Sequence, residues 1–194
     1  MIFGGIGLQT FRTWQLKQAA RHVRAGDIIA YPTEAVFGLG CDPANLFAVL
    51  RLLALKRRAP DKGLILVAAN FEQLQPYVEP LDVKIKKKLM ATWPGPVTWV
   101  LPARPSVSSL IRGAHSTVAV RVTAHPVAKA LCETLGHALV STSANIAGGR
   151  AARDSLGVRR IFGDTIDYIV PGPVGGLDRP TEIRDAQTDT LVRI

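Results

Sequence analysis

The sequence contains little cysteine, few aromatic residues and no long apolar run. The two cysteines, Cys41 and Cys132, form neither a CxxC pair nor a disulfide framework, which predicts free thiols in a reducing compartment. No uncharged apolar run reaches the ~18 residues that a membrane span requires. Residues 1–8 lack the basic start of a signal peptide. We therefore expect a cytoplasmic protein without membrane association.

Several common catalytic and cofactor motifs are absent as well. Neither GxxxxGK[ST] nor GxGxxG occurs, so a nucleotide would have to be held without the two common glycine-rich phosphate loops. There is no GxSxG elbow, and no Ser/His/Asp or Cys/His relay can be assembled from the spacing, which argues against a covalent hydrolase. The four histidines show no HxxxH spacing. Any metal is therefore expected to arrive with a ligand.

Positive charge and apolar residues are what the sequence has in abundance. Lys and Arg number 24 against 15 Asp and Glu, for a net charge of +9, and 47% of the residues are hydrophobic. This balance predicts a folded core and an attraction to polyanions. Basic residues cluster at 51–62, 84–88 and 150–160, which suggests phosphate ligands, although the 84–88 cluster is also typical of a solvated helix face.

Length and patterning indicate one α/β domain over residues 1–194, with 1–10 a candidate flexible N-terminal extension. Segments rich in apolar and β-branched residues predict strands at 27–31, 64–69, 97–101, 118–122, 138–140 and 168–170. Capping and periodicity predict helices at 10–25, 45–55, 71–77, 82–92, 126–136 and 154–162. We expect loops at 32–43, 141–149 and 171–176, and two short strands within 181–194. This alternation favours a layered α/β fold with a mixed sheet.

Three polar segments follow predicted strands or helices and are candidate ligand loops. Thr33 and Glu34 lie between a proline and two glycines, and the segment 141–145 offers three hydroxyls and an amide. The cations of 56–58, with Lys62, could hold a triphosphate. Each segment also has a plain structural explanation, respectively backbone bonding, a serine-rich turn and a complement to the helix dipole.

Arg121 is a cation inside an apolar strand. Such a residue either extends to the surface or meets a buried anion, and the spacing does not distinguish the two.

Six segments occur in an order that is typical of one family. They are 31–42 (YPTEAVFGLGCD), 56–58 with 61–64 (KRR and DKGL), 93–98 (WPGPVT), 118–126 (VAVRVTAHP), 141–145 (STSAN) and 182–185 (EIRD). From about residue 12 onward the chain resembles the YrdC/TsaC family, the threonylcarbamoyl-AMP synthases that begin threonylcarbamoyladenosine modification of tRNA. Each segment alone would be a weak signal, but together they are specific.

The resemblance implies a three-layer α/β domain with a twisted mixed β-sheet around a basic concave cleft. It also implies a nucleotidyltransferase reaction, in which L-threonine and bicarbonate or CO2 give a carbamate that attacks the α-phosphate of ATP. The products would be threonylcarbamoyl-AMP and pyrophosphate. Mg2+ would travel with ATP, bound by no protein ligand. The product would pass to a threonylcarbamoyl-transferase complex, and direct tRNA binding is a further expectation.

The same resemblance assigns site residues by motif. Those expected at ATP are Lys56, Arg58, Thr117, Ser143, Asn145 and Arg193. Those expected at threonine and bicarbonate are Thr33, Lys62, Arg121, Ser141 and Thr181. No general acid or base is assigned, because the reaction needs anions to be neutralised and aligned more than it needs a proton shuttle. Either Glu34 or solvent could take the proton of the threonine amine.

The chain departs from the family pattern in three places. Ala147 lacks the hydroxyl that many relatives have at this position, so no contact is assigned to it. The sequence Arg-Pro-Thr-Glu at 179–182 replaces the Ser-Thr type of sequence found in longer relatives. We also expect no additional C-terminal domain. A competing hypothesis is an RNA-binding accessory protein that uses the basic cleft for tRNA or ribosomal RNA without catalysis. The net charge supports it, whereas the 6% aromatic content offers few stacking platforms.

Overall fold

The computed structural model of the protein describes the backbone of residues 4–179 and 181–193 and the side chains of 13–179 and 181–192. Its helices are α1 (Gly4–Arg24), α2 (Leu46–Leu55), α3 (Val83–Met90), α4 (Ser109–Arg112), α5 (Pro126–Leu135) and α6 (Ser155–Phe162). Its strands are β1 (Ile29–Pro32), β2 (Phe37–Gly40), β3 (Ile65–Ala68), β4 (Thr98–Pro102), β5 (Thr117–Val122), β6 (Leu139–Ser143), β7 (Tyr168–Ile169), β8 (Ile183–Asp185) and β9 (Leu191–Arg193). Within these ranges, no helix is both long and apolar enough to cross a membrane.

Over the described residues the strands form one nine-stranded sheet in the order β7-β1-β2-β6-β3-β5-β4-β8-β9. Three neighbouring pairs, β1 with β7, β3 with β5 and β4 with β8, are parallel, and the other five pairs are antiparallel. The mixed sheet that the sequence predicts is confirmed. The two predicted strands of the C-terminal segment form the hairpin of β8 and β9.

Helices cover both faces of the sheet, so the fold has three layers. Successive residues of a strand point to opposite faces. In β3, Leu66 belongs to the apolar cluster that contains buried residues of α2, α3, α4 and α6, whereas Val67 belongs to the cluster that contains those of α1 and α5. In β6, Val140 belongs to the first of these clusters and Leu139 to the second. The continuous apolar runs of these strands are therefore explained by burial on both faces.

Capping residues in the sequence fix where several helices begin and end. The side chains of Asn45, Asp82 and Asp154 accept hydrogen bonds from backbone N–H groups three residues ahead, at 3.1, 2.7 and 2.6 Å. Each therefore satisfies a donor that the first helical turn leaves free. Pro126 occupies the first turn of α5, and Gly136 ends that helix in the left-handed conformation.

The predicted loop at 32–43 is wrong, because its middle forms β2 between β1 and β6. Gly38 and Gly40 are strand glycines here rather than breakers. A Cβ on Gly40 would lie 2.7 Å from the carbonyl oxygen of Val140 and 2.9 Å from the ring of Tyr31. Glycine is required because a neighbouring strand and an aromatic ring approach the backbone closely.

Other predicted boundaries also change. Of the helix expected at 71–77, only a 3-10 turn at Glu72–Leu74 forms, and the Gln73 side chain ties this turn to the backbone of Ala69 and Cys132. The helix α4 was not predicted, and the first three residues of the expected loop 141–149 belong to β6. The first helix begins at Gly4 rather than near residue 10. Residues 1–3 lie outside the described residues, so the N-terminal extension stays a prediction.

We predict that Gly40→Ala lowers the free energy of unfolding by about 1–3 kcal/mol, because the added methyl overpacks a rigid strand interface. The measurement is denaturant unfolding followed by far-UV circular dichroism. Gly176→Ala is the matched control, since a Cβ there meets nothing within 4 Å. Equal midpoints for the two variants would contradict the packing role assigned to Gly40.

Candidate active site

A groove lies where the helical layer leaves the sheet uncovered. Among the described residues, helices α1 and α5 pack over β1, β7 and the adjoining parts of β3 and β6 on this face, and the apolar cluster that they form includes no residue of β4 or β8. Alternate residues of β5, namely Thr117, Ala119 and Arg121, point to this face, whereas Val118 and Val120 enter the opposite core. The uncovered strip therefore presents polar side chains above a floor of small and apolar residues.

The larger compartment of the groove has a volume of about 240 Å³. Five residues predicted for the site line it: Arg58, Lys62, Thr117, Ser141 and Ser143. Its apolar lining includes Ile65, Val100, Ala119, Ile183 and Val192. This combination of cations, hydroxyls and an apolar floor suits a ligand that carries both an anionic and a flat apolar part.

A smaller compartment of about 50 Å³ adjoins the larger one, and both share the wall formed by Ile65 and the β6 residues 141–143. Thr33, Arg121 and Thr181, all predicted at the threonine end, line the smaller compartment. Lys62, which was predicted with them, lines the larger compartment instead. Gly38 keeps the smaller compartment open, since a Cβ there would lie 3.2 Å from the Thr33 methyl group.

Arg121 is the most deeply buried cation of the groove, with a relative exposure of 5%. Its Nη1 donates to the hydroxyl of Thr181 at 2.6 Å and to that of Thr98 at 3.3 Å. Its Nη2 lies 3.3 Å from Oε2 of Glu34, whose Oε1 accepts a 2.5 Å bond from the Thr123 hydroxyl. Of the two explanations that the sequence left open, the buried anion is therefore correct.

The turn after β1 is held from two sides. The Thr33 hydroxyl donates to the carbonyl of Val36 at 2.7 Å, which fixes the side chain at the compartment wall. Backbone N–H groups of Gly175 and Leu177 bond the carbonyls of Thr33 and Glu34 at 2.9 and 3.3 Å. A Cβ on Gly175 would lie 2.5 Å from the Glu34 carbonyl oxygen, so glycine permits this close approach.

Lys56 and Asn145 lie beside the groove rather than in its described lining. The Lys56 ammonium, which is 3% exposed, donates to the carbonyl of Ser143 and to that of Asn145 at 2.7 Å. Burial, followed by the charge of Arg58, lowers the pKa of Lys56 to about 8, which leaves it mostly protonated at pH 7. The Asn145 amide donates to the carbonyls of Ile146 and Gly149, both at 2.9 Å. Together these bonds hold the turn after β6.

Arg58 joins the end of α2 to the turn before β3. Its guanidinium donates to the carbonyl of Gly63 at 2.9 and 3.2 Å while it lines the larger compartment. Arg57, between Lys56 and Arg58, has a positive φ of 50°, and the N–H of Arg58 returns to the carbonyl of Leu53 at 2.9 Å. This helix end directs Lys56 inward and Arg58 toward the groove.

One predicted residue is not placed, and several lining residues were not predicted. The Arg193 side chain lies outside the described residues, although its backbone belongs to β9. Arg112, at the end of the short helix α4, and His115, in the turn before β5, line the larger compartment, and a four-residue helix leaves no periodic signal in the sequence. The contacts of Arg121 with Glu34 and Thr98 were missed because these residues are far apart in the sequence and meet only in the folded sheet.

Among the described residues, no three His, Cys, Asp or Glu side chains are grouped in a way that could hold a metal ion. The described lining of both compartments likewise contains no Asp or Glu. Cations and hydroxyls therefore dominate the polar groups of the groove.

Together, the fold and the groove define an α/β ligand-binding domain in which cationic and hydroxyl side chains face an uncovered half of a mixed sheet. Residues 21–194 match the Sua5/YciO/YrdC family model, described as telomere recombination. A protein of Nitrosococcus oceani named threonylcarbamoyl-AMP synthase is 56% identical over 180 residues, which cover 93% of this chain and 97% of the relative. One of Halorhodospira halophila with the same name is 53% identical, with coverages of 94% and 95%.

Solved structures agree with the sequence relatives. P. abyssi Sua5 complexed with L-threonine has a TM-score of 0.84 and 34% identity, over 89% of this chain and 51% of the Sua5 chain. The chain thus spans about half of that structure. E. coli YciO has a TM-score of 0.77 and 27% identity, with coverages of 92% and 87%. The chain belongs to the Sua5/YciO/YrdC family, and the resemblance and fold class predicted from the six motifs are confirmed.

We predict that Lys56→Met destabilises the protein by about 1–3 kcal/mol, because the buried carbonyls of Ser143 and Asn145 lose their donor. The measurement is the free energy of unfolding from denaturant titration. Lys87→Met, on the exposed face of α3, is the control and should change this quantity by less than about 0.5 kcal/mol. Wild-type stability of Lys56→Met would show that the ammonium does not hold the turn.

Proposed function

We propose that the protein is a threonylcarbamoyl-AMP synthase that forms its product in this groove. The observation that carries the proposal is the division of the groove into two adjoining compartments that share the wall at residues 141–143. One compartment contains a buried guanidinium, and the other contains partly or fully exposed cations beside an apolar floor. Two substrates bound in adjoining compartments would meet at the shared wall. The names of the curated relatives support the same activity.

L-Threonine would occupy the smaller compartment. Arg121 is positioned to accept its carboxylate, since a guanidinium presents paired donors that match two carboxylate oxygens. The hydroxyls of Thr33, Ser141 and Thr181 surround the same space and offer partners for the threonine hydroxyl and for bicarbonate. The L-threonine complex of P. abyssi Sua5 supports the choice of amino acid.

ATP would occupy the larger compartment. Arg58 and Lys62 would neutralise the triphosphate, and Thr117 and Ser143 would donate or accept at phosphate or ribose oxygens. The apolar residues of the floor would pack against the base. Lys56 and Asn145 would act on ATP through the turn that presents Ser143. Arg193 stays a predicted nucleotide contact.

The reaction needs alignment more than proton transfer. The threonine nitrogen attacks bicarbonate or CO2 to give a carbamate, and water leaves when bicarbonate is the reactant. A carbamate oxygen then attacks the α-phosphorus, the bond to the bridging oxygen breaks, and pyrophosphate leaves with the electron pair. Cations on both sides of the shared wall would offset the charge that gathers there. The ammonium proton of threonine would pass to solvent, as would the second proton that the nitrogen loses when CO2 is the reactant.

We also propose that the groove is the basic cleft expected for the family. Arg58, Lys62, Arg112 and Arg121 line it, and its described lining contains no carboxylate to offset them. Mg2+ would enter as part of the substrate, bound to the triphosphate oxygens. The residues present fit this arrangement, because the described lining contains no carboxylates and the phosphate oxygens would supply the ligands of Mg2+.

The product would leave the groove for another protein. Threonylcarbamoyl-AMP is a mixed anhydride, which water hydrolyses, so we propose transfer to a threonylcarbamoyl-transferase complex that modifies tRNA. Direct tRNA contact and a cytoplasmic location are part of the same proposal. Both cysteines are free and buried, as a reducing compartment would allow.

We predict that pyrophosphate release from ATP and Mg2+ requires both L-threonine and bicarbonate, because the carbamate is the nucleophile. The measurement is a coupled pyrophosphate assay, with L-serine in place of L-threonine as the control, and serine should give slower release. No release under any condition, together with salt-sensitive tRNA binding, would contradict the synthase and support the RNA-binding alternative.

We predict that variants of the two compartments separate the two substrates. Arg58→Ala should lower kcat/KM for ATP by about 100-fold or more, because a charged phosphate contact is lost. Thr33→Ala should raise KM for L-threonine by about tenfold while KM for ATP stays unchanged. Arg159→Ala, an exposed arginine of α6, is the control. Full activity of Arg58→Ala, or an unchanged threonine dependence of Thr33→Ala, would overturn the respective assignment.

A further inference from the structure

Glu34 lies directly behind Arg121 and is buried with it, at relative exposures of 7% and 5%. We propose that Glu34 is a positioning residue whose carboxylate holds the Arg121 guanidinium in the orientation that receives the threonine carboxylate. This inference rests on the proposed function. It assigns a role to Glu34, for which the sequence left open whether it or solvent takes the proton of the threonine amine.

The geometry argues against a proton acceptor. Glu34 does not belong to the described lining of either compartment, so it does not face the space where threonine would bind. Oε1 accepts the hydrogen bond of the Thr123 hydroxyl at 2.5 Å; Oε2 forms an ion pair with Nη2 of Arg121 at 3.3 Å and, among the described residues, accepts no hydrogen bond. A general base must come within hydrogen-bond reach of the proton that it removes. Glu34 is separated from the compartment by Arg121 itself.

Arg121 balances the charge of Glu34. The backbone N–H of His125 donates at 3.1 Å to the Thr123 hydroxyl, which in turn donates to Glu34. Burial lowers the pKa of His125, the charge of Glu34 only partly opposes this effect, and the imidazole is therefore neutral at pH 7. Arg121 is then the cation that balances Glu34. A buried carboxylate and a buried guanidinium each require the other.

Arg121 depends on Glu34 for its orientation because its other partners are weaker. Thr181 and Thr98 are neutral hydroxyls, whereas Glu34 carries the opposite charge, and the attraction between two full charges is strong where both groups are buried. Among the described residues, Nε of Arg121 has no hydrogen-bond partner. Without Glu34 the guanidinium would be held at one nitrogen only, and it could rotate away from the compartment.

Two effects of removing the Glu34 charge oppose each other. The loss of an anion increases the attraction between Arg121 and a substrate carboxylate, whereas the loss of the anchor frees the guanidinium. We expect the second effect to be larger, because a bidentate contact requires both donors to be aligned before the ligand arrives. The Glu34 backbone is already fixed by Leu177 and by the close approach of Gly175, so the carboxylate itself is preorganised.

The test is Glu34→Gln, which keeps the shape of the side chain and removes its charge. Isothermal titration with L-threonine alone should show an affinity reduced by about tenfold or more, the size expected for coupled groups in one network. In the pyrophosphate assay, KM for L-threonine should rise by a similar factor, while KM for ATP and the pH profile of kcat stay as in the wild type. Glu133→Gln, an exposed carboxylate of α5, is the control.

Three outcomes would overturn the inference: unchanged threonine affinity, tighter threonine binding, or a loss of kcat at saturating threonine together with a lost limb of the pH profile. The last result would make Glu34 the proton acceptor. Should Glu34→Gln fail to fold, Thr123→Val tests the same anchor, and it should weaken threonine binding in the same direction. If the wild-type protein releases no pyrophosphate, the proposed synthase function is wrong. This result is distinct from a failure of the Glu34 proposal, which is judged by comparing the variant with the wild type.

Discussion

The guanidinium of Arg121 is buried in the middle of the sheet, and the arrangement of the groove follows from the need to neutralise it. Strand β5 places this cation on the face that α1 and α5 leave uncovered. Glu34 balances its charge from behind, and the hydroxyls of Thr98 and Thr181 complete its bonds. The remaining hydrogen-bonding capacity of the guanidinium faces the smaller compartment of the groove. A buried cation with this environment is suited to an anionic ligand.

The same sheet also separates the roles of the cations. Arg121 acts from the sheet interior, whereas Arg58 and Lys62 act from the turn between α2 and β3 at the groove wall. Lys56 belongs to the same sequence cluster, yet it is directed inward to the turn after β6. The cluster thus contributes one cation that holds a turn and two that line the groove. The direction of each side chain, rather than its charge, decides its role.

Much of the fold and part of the site could be predicted from local signals. The β-branched run of β5 and the caps Asn45, Asp82 and Asp154 are short-range features, and the elements they predict are present. The strand β2 was missed because its glycines, which the close approach of Tyr31 requires, resemble loop breakers. The contacts of Glu34 with Thr123 and Arg121 were missed because they join distant parts of the chain, with 89 positions between Glu34 and Thr123. Tertiary contacts of this kind leave no periodic trace.

The most direct test of the account is a crystal structure of the protein with L-threonine and a non-hydrolysable ATP analogue. The account predicts the threonine carboxylate on Arg121 in the smaller compartment, with Glu34 still behind the guanidinium, and the triphosphate along Arg58 and Lys62 in the larger one. The substrate amine and the α-phosphate should then face each other across the wall formed by Ser141 and Ser143. Threonine bound away from Arg121, or a triphosphate in contact with Glu34, would contradict it.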